Sequence, residues 1–372
     1  MLKALFVMVA VLWAATVCLA DWQPDEFLIL CWGQPTDDTT AKAFADIGVN
    51  TVFCTPETLD LCHRHGLRGL VKGASPEQAI KLSEHPAVWG WFVRDEPKEE
   101  QFAETGERVK AFHEADLDHP AYVNLMAWMN LDKYLETVKP RFLSYDFYQW
   151  WWGPHNHLWR LEAHRNAALK AGLPLICWIE GNADGRWEMG EKGQTYLPDN
   201  EPKLRQSLYT SLAYGVKGIQ WFNDFVIFQH AKGRKLLPEL RRAGHDVKQL
   251  NAELAALGPT LMKLQSVEVF QTHPLPKRTR LIPEDCWVQL TGRHLTLGLF
   301  KDSADTDYVM VVNRDIAHRE WAVLQFQQPV ERVSKFDRAK GEWTDLPVRP
   351  YDGTTLVDLI LRQGDGELLR VD

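Results

Sequence analysis

Short apolar runs alternate with helical stretches eight times along the first two thirds of this 372-residue chain. The first run, residues 27–33, is almost continuously apolar, which is typical of a parallel strand covered on both faces. Glycines such as Gly48, Gly66 and Gly172 end several of the helical stretches. Eight such units favour a closed barrel of parallel strands over an open sheet. The sequence therefore predicts a (β/α)8 TIM barrel over residues 21–260.

The pattern changes after Pro259. Between residues 268 and 372, helical periodicity gives way to short alternating or apolar runs, such as residues 294–300 and 308–312. Gly341 and the Asp352-Gly353 pair are typical of the turns between such runs. This region predicts a small C-terminal antiparallel β-sandwich over residues 261–372.

The first 20 residues have the features of a signal peptide. Lys3 supplies a positive charge, residues 5–17 are apolar but too few to span a bilayer, and Ala20 is small enough to precede a cleavage site. No later segment of the sequence is apolar enough to cross a membrane. We therefore expect an exported chain, either secreted or periplasmic.

The formal net charge of −8 argues against a nucleic-acid partner, because such a partner requires a basic face. A local basic patch is compatible with this net charge, so an anionic substrate stays open. None of these features indicates an oligomeric state.

Two carboxylates close predicted barrel strands, Glu96 the fourth and Glu180 the seventh. The carboxyl ends of all strands in a parallel barrel share one face, where chemistry is usually found. Two carboxyls roughly 5 Å apart are what a retaining glycosidase uses, one as acid and one as nucleophile. Either glutamate alone could simply be solvated. Together they predict Glu96 as the acid/base and Glu180 as the nucleophile, with no cofactor required.

Aromatic and polar side chains near the same strand ends are suited to a carbohydrate ligand. Sixteen tryptophans are many for this length, and flat rings stack on the apolar faces of sugars. Strand-end amides and carboxylates can bind sugar hydroxyls. The predicted substrate-binding residues are Trp32, Asp95, Asn124, Tyr145, Asp146, Tyr148, Trp151, Trp178 and Trp221.

These motifs resemble clan A of the retaining (β/α)8 glycoside hydrolases, which carries its acid/base on strand four and its nucleophile on strand seven. Trp178-Ile179-Glu180-Gly181 is similar to the clan's strand-seven ending. Trp221 resembles its strand-eight tryptophan, and Tyr145 or Tyr148 its strand-six aromatic. The resemblance implies double-displacement hydrolysis of an oligosaccharide or polysaccharide.

One position departs from the clan. An asparagine usually precedes the acid/base and contacts the sugar 2-hydroxyl, whereas this chain has Asp95 before Glu96. The Asp95-Glu96-Pro97 segment resembles a variant found in some β-galactosidase-like barrels. This difference leaves Asp95 as an alternative acid.

Two other functions remain compatible with the sequence. A barrel without catalysis could use its tryptophans to bind carbohydrate only. A metal-dependent barrel hydrolase could use Glu96 and Asp146 together with histidines, although the histidines lack the usual ligand spacing.

Overall fold

The computed structural model describes residues 22–153, 157–183 and 200–372, so the predicted signal peptide lies outside the described residues. Eight parallel strands form a closed barrel in chain order, and the eighth pairs with the first. The predicted TIM barrel is therefore confirmed. Its strands are β1 (Leu28–Cys31), β2 (Thr51–Cys54), β3 (Arg68–Val71), β4 (Val88–Asp95), β5 (Ala121–Met126), β6 (Leu143–Asp146), β7 (Leu175–Glu180) and β8 (Gly218–Phe222).

Helices follow the strands and cover the outside of the barrel. Local sequence explains where several of them begin: Asp37 and Ser75 accept hydrogen bonds as N-caps, and Pro76 opens its helix. None of the described helices has the length and apolar content needed to cross a bilayer. They are α1 (Asp38–Asp46), α2 (Leu59–Arg64), α3 (Pro76–Leu82), α4 (Phe102–Ala115), α5 (Leu131–Val138), α6 (Gln149–Trp152), α7 (His157–Ala171), α8 (Asn200–Ala213), α9 (Asp224–Ile227) and α10 (Arg242–Leu261), with 3-10 turns at Pro56–Thr58 and Glu99–Gln101.

Side chains alternate between two apolar cores along the barrel strands. In β1, Leu28 and Leu30 join the core inside the barrel, whereas Ile29 and Cys31 join the core between strands and helices. This alternation follows from the two-residue period of a strand. It decides which residues of each strand can reach the mouth of the barrel.

A two-stranded antiparallel hairpin, β9 (Phe228–His230) and β10 (Leu236–Leu240), lies between α9 and α10. The chain after α10 forms two antiparallel sheets. The larger sheet has the order β11 (Gln265–Gln271), β13 (Leu295–Lys301), β14 (Asp307–Asn313), β20 (Gly366–Val371), β16 (Val333–Asp337) and β17 (Glu342–Asp345). The smaller has the order β12 (Val288–Thr291), β15 (Glu320–Phe326), β19 (Thr354–Leu361) and β18 (Arg349–Tyr351). Apolar side chains from both sheets form one core, so the predicted β-sandwich is confirmed.

A buried ion cluster joins the sandwich to the barrel. Arg205 of α8 is fully buried, and its Nη1 atom lies 2.6 Å from Glu253 Oε2 of α10 and 3.1 Å from Asp365 Oδ1 beside β20. Arg338 contacts the same two carboxylates at 3.1 and 2.9 Å. These pairs link the two domains.

Candidate active site

A cavity of about 440 Å³ opens at the carboxyl ends of the barrel strands. Its wall combines carboxylates, aromatic rings and one guanidinium group. Glu96 and six of the nine predicted substrate-binding residues line this cavity. The lining residues are Trp32, Asp95, Glu96, Asn124, Asp146, Tyr148, Trp178, Phe222, Asn223, Phe225 and Arg234.

An irregularity in β4 turns Asp95 into the cavity. The register of β4 against β5 shifts between Phe92 and Arg94. Phe92 faces the barrel interior, Val93 packs into the outer core, and Arg94 pairs outside with Glu104 at 2.7 Å. Two successive residues thus face outward, which is what a β-bulge does, and the next residue faces inward.

Glu96 follows in an unusual backbone conformation. Its φ angle is 44°, in the left-handed region that side-chain-bearing residues rarely adopt, and its N–H donates to the Asn124 carbonyl at 2.9 Å. This turn brings the Glu96 carboxyl to the same cavity as Asp95. Neighbouring residues on a regular strand would have pointed to opposite faces.

A hydrogen-bonded network inside the barrel orients Asn124. Ser144 Oγ donates to Asn124 Oδ1 at 2.9 Å, which leaves the Asn124 amide to donate to Asp95 Oδ1 at 3.2 Å. Below them, Tyr122 and Gln220 hydrogen-bond to Ser144 at 3.0 Å each. Sequence analysis missed these three residues. Polar side chains at the inward positions of buried strands were the signal that could have revealed them.

The cavity carboxyls are crowded and poorly neutralised. Glu96 and Asp146 hydrogen-bond to each other, and Asp146 is only 2% exposed. Partial burial raises the pKa of Glu96 and the negative charge of Asp95 raises it further, whereas the hydrogen bond with Asp146 lowers it by less. Burial and the charges of Glu96 and Asp95 raise the pKa of Asp146 well above its usual range. The pair therefore retains a proton at a pH where an ordinary carboxyl would lose it.

Lys72 lies directly after β3, beside this cluster. Its ammonium group is 4.4, 4.1 and 4.8 Å from the ring centres of Trp32, Phe53 and Phe92. Burial lowers the pKa of Lys72, and the negative charge of Asp95 opposes that change. The three rings hold this cation at the edge of the acidic cluster through cation–π contacts.

Glu180 is at the predicted strand end but not in the cavity wall. It is fully buried, and its Oε1 atom accepts a hydrogen bond from the Trp150 N–H of α6 at 2.8 Å. Burial raises its pKa to about 7, although hydrogen bonds from two backbone N–H groups act to lower it. In this structure Glu96 lines the cavity of about 440 Å³ and Glu180 does not, so the pairing of the two carboxyls across one cavity stays a prediction. Residues 149–152 form the short helix α6, whose Trp150 N–H supplies that hydrogen bond.

Three predicted substrate-binding aromatics also lie outside the cavity. Tyr145 faces the helices and stacks on His164, with 3.8 Å between ring centres. Trp221 is fully buried on the outer side, where its Nε1 donates to Asn251 Oδ1 at 2.7 Å. Trp151 is nearly buried, and its Nε1 donates to the Asn182 carbonyl at 2.9 Å.

The alternation of the strands explains two of these corrections. On β6, Ser144 and Asp146 face inward, so Tyr145 between them faces outward. On β8, Phe222 rather than Trp221 faces the cavity, where it stacks on Tyr148 with 4.9 Å between ring centres. Phe222 is a site residue that sequence analysis missed.

Within residues 22–153, 157–183 and 200–372, no group of three or more His, Cys, Asp or Glu side chains is arranged to hold a metal ion. The three cavity carboxyls therefore do not form such a group.

Comparison with known proteins identifies a shared fold. No family model and no curated protein matches this chain. Among solved structures, it is similar to a glycoside hydrolase at 11% identity, with a TM-score of 0.55 over 93% of this chain and 92% of the other. A glycoside hydrolase family 5 protein from Bacteroides vulgatus aligns at 13% identity and a TM-score of 0.55, over 94% and 89% of the two chains. An α-amylase from H. orenii aligns at 8% identity and a TM-score of 0.52, over 94% and 100%.

The chain has the fold of these hydrolases. At such low identities the similarity shows the fold alone. That fold is the one that the sequence resemblance implied.

Proposed function

We propose that this protein is a glycoside hydrolase that acts on a carbohydrate bound at the mouth of the barrel. The observation that carries the proposal is one cavity that combines Asp95, Glu96 and Asp146 with the partly exposed rings of Trp32 and Phe222. Carboxyls can protonate a glycosidic oxygen, and rings can stack on the sugar. The fold shared with glycoside hydrolases supports the same function.

Glu96 is the proposed general acid. A general acid must keep its proton near the working pH, and both burial and the neighbouring Asp95 raise the Glu96 pKa in that direction. In the first step, Glu96 would protonate the departing sugar oxygen. In the second, the same carboxylate would take a proton from the attacking water.

The retaining route predicted from the sequence also needs a carboxylate that attacks the anomeric carbon. Glu180 is the predicted nucleophile, but its carboxyl is fully buried and accepts a hydrogen bond from the Trp150 N–H, so attack by Glu180 requires this carboxyl to become accessible. Asp146 already lies in the cavity, but its raised pKa favours the protonated form, so it competes as nucleophile only after it loses that proton. We keep retention as part of the proposal and leave the choice between these two residues to experiment.

Export is a further part of the proposal, carried by the sequence of residues 1–20 alone. A secreted or periplasmic enzyme of this kind would meet polysaccharides or their fragments outside the cytoplasm. Sequencing the N-terminus of the protein recovered from culture medium or periplasm tests this part. An intact Met1 would contradict cleavage of the signal, and absence of the protein from both fractions would contradict export.

The activity is tested by incubating the full-length protein with a panel of neutral and acidic polysaccharides and measuring released reducing ends. We expect hydrolysis of at least one, and its loss in E96Q. The matched control is E100Q, which changes an exposed glutamate just beyond the strand. Sugar binding without hydrolysis by the wild-type protein would favour a carbohydrate-binding barrel instead.

The stereochemistry is tested by following the anomeric form of the first product by NMR. Retention, with a 2-deoxy-2-fluoroglycosyl label mapped to Glu180 or Asp146, would support double displacement and identify the nucleophile. An inverted product would contradict the retaining part while leaving the hydrolase proposal in place.

A further inference from the structure

The hairpin between β8 and α10 presents a basic turn beside the cavity. Its turn reads Ala231-Lys232-Gly233-Arg234-Lys235 and is closed by two backbone hydrogen bonds. Ala231 N–H donates to the Lys235 carbonyl at 2.8 Å, and Arg234 N–H donates to the Ala231 carbonyl at 3.1 Å. Gly233 and Arg234 both have left-handed φ angles, 81° and 65°. The three cations stand out in a chain whose net charge is −8.

Arg234 is the residue of this turn that lines the cavity. It is the one basic side chain among the described lining residues, and it faces Phe225 with 5.6 Å from its guanidinium carbon to the ring centre. Among the described residues, no carboxylate lies within 4.0 Å of its guanidinium group, although Asp95, Glu96 and Asp146 line the same cavity. The guanidinium donors are therefore not used by the acidic cluster.

Lys235 acts elsewhere. Its charge lowers the pKa of Asp37, the N-cap of α1, after the larger effect of hydrogen bonds from Thr40. Lys232 is exposed and does not line the cavity. Among the described lining residues the positive charge therefore belongs to Arg234, while Lys72 adds a second cation beside Asp95, held against the rings of Trp32, Phe53 and Phe92.

Three clustered carboxyls repel an anionic ligand unless a cation beside them offsets their charge, and Arg234, which has no carboxylate partner among the described residues, is placed to do so. The planar donors of arginine match carboxylate and sulfate groups in paired geometry. We infer that the sugar bound in this cavity carries a carboxylate or sulfate group and that Arg234 binds it. This inference rests on the proposed carbohydrate function and specifies the class of substrate.

The test compares charged and neutral sugars by isothermal titration with the full-length protein. D-glucuronate, D-galacturonate and D-glucose 6-sulfate are titrated beside D-glucose and D-galactose into wild type, R234Q and K232Q. We expect at least one anionic sugar to bind wild type about tenfold more tightly than its neutral parent, as a charged hydrogen bond allows. R234Q should lose this difference and keep its affinity for the neutral sugar, whereas K232Q should retain the difference.

Preference for the uronates would identify a carboxylate substrate, and preference for the sulfate ester would identify a sulfated one. Three results would overturn the inference: equal binding of charged and neutral sugars by wild type, no binding of any anionic sugar, or equal loss of both kinds in R234Q. The last would mean that Arg234 shapes the cavity rather than selecting charge.

This test is separable from that of the proposed function. Hydrolysis of a neutral glycan that is abolished in E96Q, without anionic preference, would support the hydrolase and overturn the role of Arg234. Selective binding of a uronate without hydrolysis of any glycan would support Arg234 and contradict the hydrolase.

Discussion

Two acidic clusters in this molecule contain the same kinds of side chain in opposite electrostatic surroundings. At the domain junction, Glu253 and Asp365 are buried against Arg205 and Arg338. Their pKa values are lowered, because hydrogen bonds and charge from the arginines outweigh the cost of burial. At the barrel mouth, burial and mutual repulsion raise the pKa values of Glu96 and Asp146.

This difference in pKa distinguishes carboxylates that stabilise the structure from carboxyls that can take part in chemistry. Paired with arginine, a buried carboxylate is ionised and satisfied, so it contributes to holding two domains in place. Left without such a partner, a carboxyl retains a proton that it can donate. Perturbed groups of the second kind are typical of functional sites.

The largest expected effect is on catalysis at the barrel mouth. E96Q removes the proposed acid and should lower kcat/KM about 10³-fold, or about 4 kcal/mol in transition-state stabilisation. Its thermal unfolding midpoint at pH 7 should be no lower than that of wild type, because a carboxyl with a raised pKa is costly to ionise in the folded protein. Kinetics and calorimetry on the same preparation check both. Retained activity would exclude Glu96 as the acid.

A substitution at the domain junction should lower stability and leave activity unchanged, the opposite of E96Q. R205M removes the positive charge that Arg205 places beside Glu253 and Asp365. It should lower the free energy of unfolding by about 3 kcal/mol, measured by urea titration. Activity measured well below the unfolding transition should stay close to that of wild type. R64M, which removes an exposed ion pair with Asp38, is the control and should leave the midpoint unchanged. A selective loss of activity in R205M would show that the junction takes part in the chemistry.

A smaller effect is expected on the pH profile. The charge of Asp95 helps to raise the Glu96 pKa, so D95N should lower that pKa. Because the acid works only while protonated, the alkaline limb of kcat/KM should move to lower pH. E104Q changes a carboxylate that pairs with Arg94 on the outer side of β4 and should leave the limb in place. An alkaline limb that stays unchanged in D95N would contradict the effect of the Asp95 charge on the Glu96 pKa.

The smallest effect concerns Trp221, which the sequence predicted to bind substrate. W221F removes the buried hydrogen bond to Asn251 and should lower the free energy of unfolding by about 1 kcal/mol, with KM unchanged. F222A is the companion variant, because Phe222 lines the cavity, and it should raise KM. A raised KM in W221F with an unchanged one in F222A would restore the original assignment.

The architecture was predictable because it depends on patterns that repeat. Strand–helix alternation indicated the barrel, and loss of helical periodicity indicated the sandwich. Strand ends also pointed to Asp95, Glu96 and Asn124, because the carboxyl ends of parallel strands always share one face. The sequence did not reveal that Tyr145 and Trp221 point away from the barrel interior, because a one-residue change in register exchanges the two faces of a strand.

The sequence alone determined that carboxyls and aromatic rings would gather at one end of a barrel, because hydrophobic periodicity sets the strands and their order. Tertiary structure decided which of those groups share a cavity. The bulge in β4 turned Asp95 inward, Glu180 became buried with a hydrogen bond from α6, and a distant hairpin brought Arg234 to the rim. Each of these depends on contacts between segments far apart in the chain, which local sequence patterns do not encode.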